Sequence, residues 1–171
     1  MPTFGTIKRS KPRVVVLRGY NPQEPHTLTQ AFPVADGVVI KSGQVVSATW
    51  SDPNQRFEWV LGGQAAKIPY IALEDSTDED VIEAGKLPAL SCAGQFEIQT
   101  PYFKAGGAYN NDTPLTYDGV TGDLKVAAGA DPIVGTVTRI HGPISLKGKD
   151  SSAVNLDVII FTTGFKSVPA A

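Results

Sequence analysis

Apolar residues in this chain fall mostly into short runs with a period of two, the spacing of alternating strand faces. In "FEWVLG" (57–62), Phe57, Trp59 and Leu61 share one face, which suits a core, and Glu58 and Val60 share the other. In "FEIQT" (96–100), Phe96, Ile98 and Thr100 oppose Glu97 and Gln99. β-Branched runs predict strands at "RVVVLRGY" (13–20), "PIVGTVTRI" (132–140) and "NLDVIIFTTGF" (155–165), with the polar loop "KGKDSSA" (147–153) between the last two. "TLTQAFPV" (27–34) alternates in part; Pro33 has no N–H to give to a ladder, which suits an edge strand. "KIPYIAL" (67–73) is a further short strand, and "LPALSCAGQFEIQTPYF" (87–103) predicts two strands around Ala93 and Gly94. The stretch 104–126 is turn-rich, with turns at Asp118-Gly119 and Thr121-Gly122-Asp123 punctuating short strands.

One segment breaks the pattern. "EDSTDEDVIE" (74–83) predicts a helix of about two turns, with Ser76 or Thr77 as its cap, acids in its first turn and Gly85 at its end. A helix that short is marginal on its own.

A valine-to-glycine unit recurs at "VVIKSGQVV" (38–46), "VIEAGKLPAL" (81–90) and, more loosely, "VAAGADPIVG" (126–135). Two readings compete, a phosphate-cradling loop and a repeated turn. In "GPISLKGKDS" (142–151), six steps separate Gly142 from Gly148, where the phosphate loop needs five, and Asp150 follows Lys149 instead of Ser or Thr. No GxGxxG occurs. The turn reading is therefore preferred, and it predicts a hairpin with Val38 to Ile40 and Val45 to Ala48 flanking Lys41-Ser42-Gly43.

Composition supports the same class. With 171 residues and 42% of them hydrophobic, the chain can bury about 70% of its unfolded surface. Seventeen glycines and thirteen prolines imply many turns and few long helices. The expected architecture is all-β: a β-barrel, β-tulip or sandwich-like single domain at 13–171, of about ten short antiparallel strands with at most one short helix. An extended basic N-terminal arm occupies 1–12. No apolar run approaches the ~20 residues of a membrane helix, and "MPTFGTIKRSKPR" has no apolar signal core, so neither insertion nor signal-directed export is expected. Cys92 is the single cysteine, so no intramolecular disulfide can form.

Charge is small in total, −2, and uneven in placement. Residues 1–20 hold Lys8, Arg9, Lys11, Arg13 and Arg18 with no acid. Such an arm can contact nucleic acid, dock on a neighbouring subunit by adding a strand or ion pairs, or stay solvated. It lacks interleaved aromatics beyond Phe4, which disfavours nucleic acid. The carboxylates Asp78, Glu79 and Asp80 are consecutive, whereas a calcium loop needs alternate acids and then a glycine. A solvated helix start is the preferred reading, and no metal or cofactor is expected.

Catalytic candidates are few. Cys92 with His141 could make a nucleophile and base, but neither has a local signature, and His26 lies in a proline-rich connector. Trp50, Trp59, Phe57, Tyr70 and Tyr102 could supply a sugar-stacking platform. "NDT" (111–113) matches a glycosylation sequon that carries little weight without a secretion signal.

"DVIEAGKLPALSCAGQFEIQTPYFKAGGAYNNDTPLTYDGVTGDLKVAAGADPIVGTVTRI" (80–140) resembles the capsid decoration, or cement, proteins of tailed bacteriophages. The resemblance lies in an ordered set: an Ala-Gly turn, F-E-I-x-T, Y-x-x-x-T-P-L-T, D-G-x-T-G-D-L and I-V-G-T-V. "VADGVVIKSGQVV" (34–46) is similar to an earlier strand pair of the same proteins. Tail-tube and head-completion proteins share parts of the pattern.

The resemblance implies a barrel or tulip domain on the outer capsid surface of a virion, where it clamps adjacent major capsid protein subunits. It implies a trimer or dimer with no active site, and no nucleic-acid, membrane or small-molecule partner. The expected contact residues are Lys8, Arg9, Lys11 and Arg13 of the arm, with Asp78, Glu79 and Asp80 as an inter-subunit partner. Alternatives are another β-rich virion component, a small carbohydrate-binding module, or a hydrolase built on Cys92 or His141.

Overall fold

The structure is a computed structural model that describes residues 15–19, 29–64, 67–147 and 153–166. Eleven strands and one helix follow in chain order among these residues: β1 (Val15–Gly19), β2 (Thr29–Phe32), β3 (Val45–Ser51), β4 (Arg56–Leu61), β5 (Tyr70–Ala72) and α1 (Glu79–Ala84). After the helix come β6 (Leu87–Ser91), β7 (Phe96–Thr100), β8 (Pro114–Tyr117), β9 (Leu124–Val126), β10 (Ile133–Lys147) and β11 (Ala153–Lys166). A six-stranded sheet has the order β1-β7-β11-β10-β8-β9, and a five-stranded sheet the order β2-β6-β5-β3-β4. Every ladder between these strands is antiparallel. The all-β class is as the period-two pattern implies, and β2 does sit at a sheet edge.

Adjacent residues of the five-stranded sheet enter different cores. Val45, Ile71 and Leu90 pack with Ile98, Leu115, Leu124, Val137 and Phe161 of the six-stranded sheet. Their neighbours Val46, Ala72 and Ala89 face the other way, onto Ile40, Trp59, Val81 and Leu87. A sheet buried on both faces needs apolar runs instead of alternation, which is why "VV" and "IA" occur where they do. Each fully buried Val, Leu, Ile or Phe contributes about 1.5–3 kcal/mol relative to exposure, and Cys92 is a free thiol, so packing and not cross-linking holds the fold.

The five-stranded sheet curls until its ends meet, and in the six-stranded sheet β9 meets the continuation of β7, leaving β1 outside the seam. Past β2, Val34 forms a parallel bridge with Trp59 of β4. There the Trp59 N–H donates to Pro33 O at 2.8 Å, and the Ala35 N–H to Trp59 O at 3.0 Å. Past β7, Phe103 bridges Leu124 of β9 in the same way, with Lys104 N–H to Leu124 O at 2.8 Å and Leu124 N–H to Tyr102 O at 3.0 Å. Each seam is a single bridge and not a ladder, so the expected barrel is present only as two strongly curled, incompletely closed sheets.

β6 and β7 do flank Ala93 and Gly94, but they belong to different sheets, and residues 92–95 form the corner between them. The Thr163 hydroxyl holds that corner, donating to Gly94 O at 2.7 Å and accepting the Phe96 N–H at 2.9 Å.

Three expectations need correction. Val38 to Ile40 is not a strand, so "VVIKSGQVV" is not a hairpin; only its second half enters β3. Side chains take the backbone donors a ladder would have used: the Ile40 N–H donates to Ser76 Oγ at 3.0 Å and the Ser42 N–H to Asp75 Oδ1 at 2.7 Å. Gly43 turns the chain at φ 99°, a conformation that favours glycine. The helix cap is also displaced, from Ser76 or Thr77 to Asp78, because Ser76 is committed to Ile40. Gly85 ends α1 as expected, at φ 67°. Finally, the last two strands are long, 15 and 14 residues, and β10 runs past the expected end at Ile140 through a bulge. The register there shifts between His141, opposite Val158, and Ile144, opposite Leu156.

Candidate functional site

The longest strands are β10 and β11, which form one hairpin. β8 accompanies β10 only at Gly135 and Thr136, and β7 accompanies β11 only from Ile159 to Thr162. Beyond those pairings β10 and β11 continue together to Lys147 opposite Ala153. Among the described residues no third strand joins them there. Among the described residues this stretch of β10 and β11 pairs only with itself, as a two-stranded ribbon about 17 Å long from Val158 to Ala153 at ~3.4 Å per residue. One signal for it lay in the sequence: Ile144 and Leu146, then Val154, Leu156 and Val158, alternate on both sides of the polar "KGKDSS".

The residues of the basic arm, Lys8, Arg9, Lys11 and Arg13, lie outside the described residues, as does His26. The chain they precede enters the structure as β1, an edge strand of the six-stranded sheet. The acidic group is described. Glu79 and Asp80 are exposed in the first turn of α1, and Asp78 is half-buried at the N-cap. Its backbone carbonyl accepts the N–H groups of Val81 and Ile82 at 3.1 and 3.0 Å. Asp75 is a different case: 2% exposed, it accepts the Ser42 N–H and lies 3.8 Å from Lys41 Nζ, so it fastens the turn at 41–43. Among the described residues no three His, Cys, Asp or Glu side chains gather as metal ligands.

The two tryptophans have opposite fates. Trp59 is fully buried, with its indole N–H donating to Leu87 O at 2.8 Å and its ring 4.9 Å from Phe32 and 5.0 Å from Tyr70. It cannot stack on a ligand. Trp50 is 46% exposed and packs edge-on against Phe57, also 46% exposed, at 5.2 Å and 76°. Two rings so nearly perpendicular offer no common plane for a sugar ring. Phe57 is therefore not the core residue that its shared face with Trp59 implied. It sits where β4 is an outer strand, beside the buried Glu58, whose carboxylate takes Arg56 Nε at 2.9 Å and Asn54 Nδ2 at 2.7 Å. The Arg56 hydrogen bond, with that of Asn54, holds the Glu58 carboxyl below its ordinary range against the opposing effect of burial. Tyr102, the other aromatic candidate, is half-buried, and burial raises its phenol above the ordinary range.

Cys92 is fully buried, and burial alone pushes its thiol well up, the reverse of what a nucleophile needs. Its carbonyl accepts the Phe165 N–H, whereas His141 is registered opposite Val158. Seven residues of β11 separate those two points, about 23 Å at strand rise. The Cys92–His141 pairing is thereby excluded.

A second protrusion is better fastened than the ribbon. At the β8–β9 turn, Asp118 Oδ1 accepts the N–H groups of Val120 and Thr121, each at 2.9 Å, with Lys104 Nζ 3.6 Å from the other oxygen. Those two backbone hydrogen bonds, helped by Lys104, lower the Asp118 carboxyl to about 2. They present Val120 at 82% exposure, an apolar tip on a stiff turn.

No known family model matches the chain, and no curated protein matches it significantly. No helix among the described residues is long and apolar enough to cross a membrane.

Proposed function

We propose that this protein is a structural virion component, a decoration protein that binds the outer surface of a tailed-phage capsid and clamps neighbouring major capsid subunits. The observation that carries the proposal is an all-β body in which β10 and β11 run on together beyond Val158 with no third strand among the described residues, and in which β1 is a sheet edge. The sequence resemblance at 80–140 points the same way.

The physical logic is that of a clamp. A body packed on both faces of one sheet resists deformation, and its unpaired strand edges can add to a partner's sheet. An interface of about 1,200–2,000 Å² in total supports specific binding. Repetition over a closed shell then stabilises the assembled state by mass action, since each bound copy favours the shell over its parts. Lys8, Arg9, Lys11 and Arg13 supply the basic contacts, and Asp78 to Asp80 face a neighbouring copy in a trimer or dimer.

The test is co-sedimentation with expanded, undecorated heads, comparing the full chain with a version lacking residues 1–12. The full chain is expected to saturate the shell at a fixed ratio to the capsid protein, and the truncated one to bind at least tenfold more weakly with its fold intact. Equal occupancy would remove the arm from the contact, and no binding by either would overturn the proposal.

A further inference from the structure

Aromatic rings run in series from the core of the five-stranded sheet to its surface. Centroid to centroid, Tyr70 lies 5.0 Å from Trp59, Trp59 4.9 Å from Phe32, Phe32 5.8 Å from Phe57, and Phe57 5.2 Å from Trp50. The series leaves the core where the sheet closes. Trp59 is locked at that seam by its backbone bonds to Pro33 and Ala35 and is fully buried. Phe57 and its cross-strand partner Trp50 lie two rows further along the β3–β4 ladder, and each is 46% exposed. Phe32 is half-buried and packs against both Trp59 and Phe57, so the buried rings hold the outer pair in place.

The outer pair is set for a cation. Trp50 and Phe57 meet at 76°, which makes a corner of ring faces instead of a plane. A cation within ~6 Å of an aromatic centroid is attracted to the negative face of the ring. A carboxylate stands at the same corner: the Trp50 indole N–H donates to Asp52 Oδ1 at 2.9 Å, and Asp52 is exposed. The turn that carries Asp52 is held in shape. Gln55 Nε2 donates to Asp52 O at 2.6 Å, and Gln55 itself adopts φ 49°, a left-handed conformation uncommon for such a side chain. Two cations of the surroundings are directed elsewhere. Arg56 alternates with Phe57 and so faces the other side of the sheet, where its Nε donates to Glu58 at 2.9 Å. The Lys67 ammonium donates to Ala48 O at 3.2 Å.

We infer that this corner binds an arginine side chain of a partner protein. The guanidinium stacks on the Trp50 ring with its N–H groups on the Asp52 carboxylate, and the aliphatic stem lies against Phe57. Charge sets the occupant: a neutral apolar group would cover the rings but leave the Asp52 carboxylate to lose water without a counter-charge. Arginine suits the corner better than lysine, because its flat, weakly hydrated guanidinium stacks on a ring and presents a fork of N–H donors to a carboxylate. The inference concerns the chemistry of a contact on this hairpin and does not depend on the capsid reading.

Heteronuclear NMR on the full chain tests it through the indole N–H signals of Trp50 and Trp59. The probe is acetyl-Gly-Arg-Gly amide, and the control is the same peptide with citrulline, which keeps the shape of arginine and removes its charge. The arginine peptide is expected to shift the Trp50 indole signal to saturation in the millimolar range while the Trp59 signal stays in place. The citrulline peptide should bind at least about tenfold more weakly. Asp52→Asn retains an acceptor for the indole N–H and loses the charge, so it should weaken the arginine peptide at least about fivefold, with an unmoved Trp59 signal showing an intact fold. Equal affinity for the two peptides, unchanged affinity in Asp52→Asn, or the absence of a saturable Trp50 shift would each overturn the inference. A Trp50 signal that moves with protein concentration before any peptide is added, alongside a dimer in sedimentation, would give the corner to a second copy and refute it as well.

Discussion

Replacing each tryptophan by phenylalanine separates the roles that the fold assigns to them. Trp59→Phe removes the indole N–H that satisfies the buried Leu87 carbonyl at 2.8 Å and leaves that acceptor without its partner. An orphaned buried acceptor costs about 1–3 kcal/mol. The smaller ring also leaves unfilled space between Phe32 and Tyr70, worth about 1 kcal/mol more. The sum is about 2–4 kcal/mol, a large share of the 5–15 kcal/mol typical of a whole domain. Trp50→Phe keeps an aromatic edge against Phe57 at a half-exposed site and loses only a surface hydrogen bond to Asp52, so it should stay within about 0.5 kcal/mol. Urea unfolding followed by far-ultraviolet circular dichroism measures both. With a slope near 2 kcal/mol per molar, the Trp59→Phe midpoint should fall by about 1–2 M while that of Trp50→Phe barely moves. Fluorescence provides an internal check: Trp59 alone should emit blue-shifted and resist quenching by iodide. Equal midpoint shifts for the two variants, or ready quenching of Trp59, would refute the assignment of Trp59 to the core and with it the curled-sheet seam at Val34.

Three further predictions test other joints. Gly122 sits at φ 71° with Val45 O only 2.6 Å from where a Cβ would stand, so Gly122→Ala should cost at least about 2 kcal/mol, read as a lower urea midpoint; an unchanged midpoint would contradict this turn geometry. Ser47 Oγ is buried with no hydrogen-bond partner, so Ser47→Ala should be neutral or raise the thermal midpoint, and a loss above about 1 kcal/mol would reveal a partner. Asp118 has its folded-state carboxyl lowered to about 2 by the Thr121 and Val120 amides, so the stability it contributes is complete above its ordinary value near 4 and is lost as pH falls through about 2. Asp118→Asn should therefore flatten that part of the acid-unfolding curve between about pH 4 and 2; an NMR titration midpoint for Asp118 near 4 would contradict the two amide bonds.

The strands were legible where one physical rule acted alone. Edge strand β2 could be placed from Pro33, and β7 from the alternation of Phe96 and Ile98. The reading failed where long-range partners took over the backbone. Val38 to Ile40 has a strand's composition, but Ser76 and Asp75, more than thirty residues away, claim the donors of Ile40 and Ser42. Phe57 shares a face with Trp59 yet is exposed, because the curl that brings Val34 onto Trp59 closes the sheet at Trp59 and leaves Phe57 outside. The ribbon escaped because the β-branched run ends at Ile140, whereas a bulge carries the ladder past Gly142 and Pro143 without ending it.

For the candidate site, the acidic residues could be placed at a helix start from sequence, and Cys92 as a buried thiol. What the local pattern does not contain is which surface projects. That depends on where β7 ends relative to β11, a register between segments some sixty residues apart. Packing supplies the body, and β7 ends at Thr100, beyond which no third strand among the described residues accompanies β10 and β11.

Electron cryomicroscopy of expanded phage heads incubated with the full chain tests the central claim most directly. The predicted result is density on the outer surface at symmetry-repeated positions, with the ribbon at 139–158 and the arm reaching across the junction between adjacent capsid subunits. Heads that remain bare at saturating protein, or density confined to the tail or the interior, would contradict it.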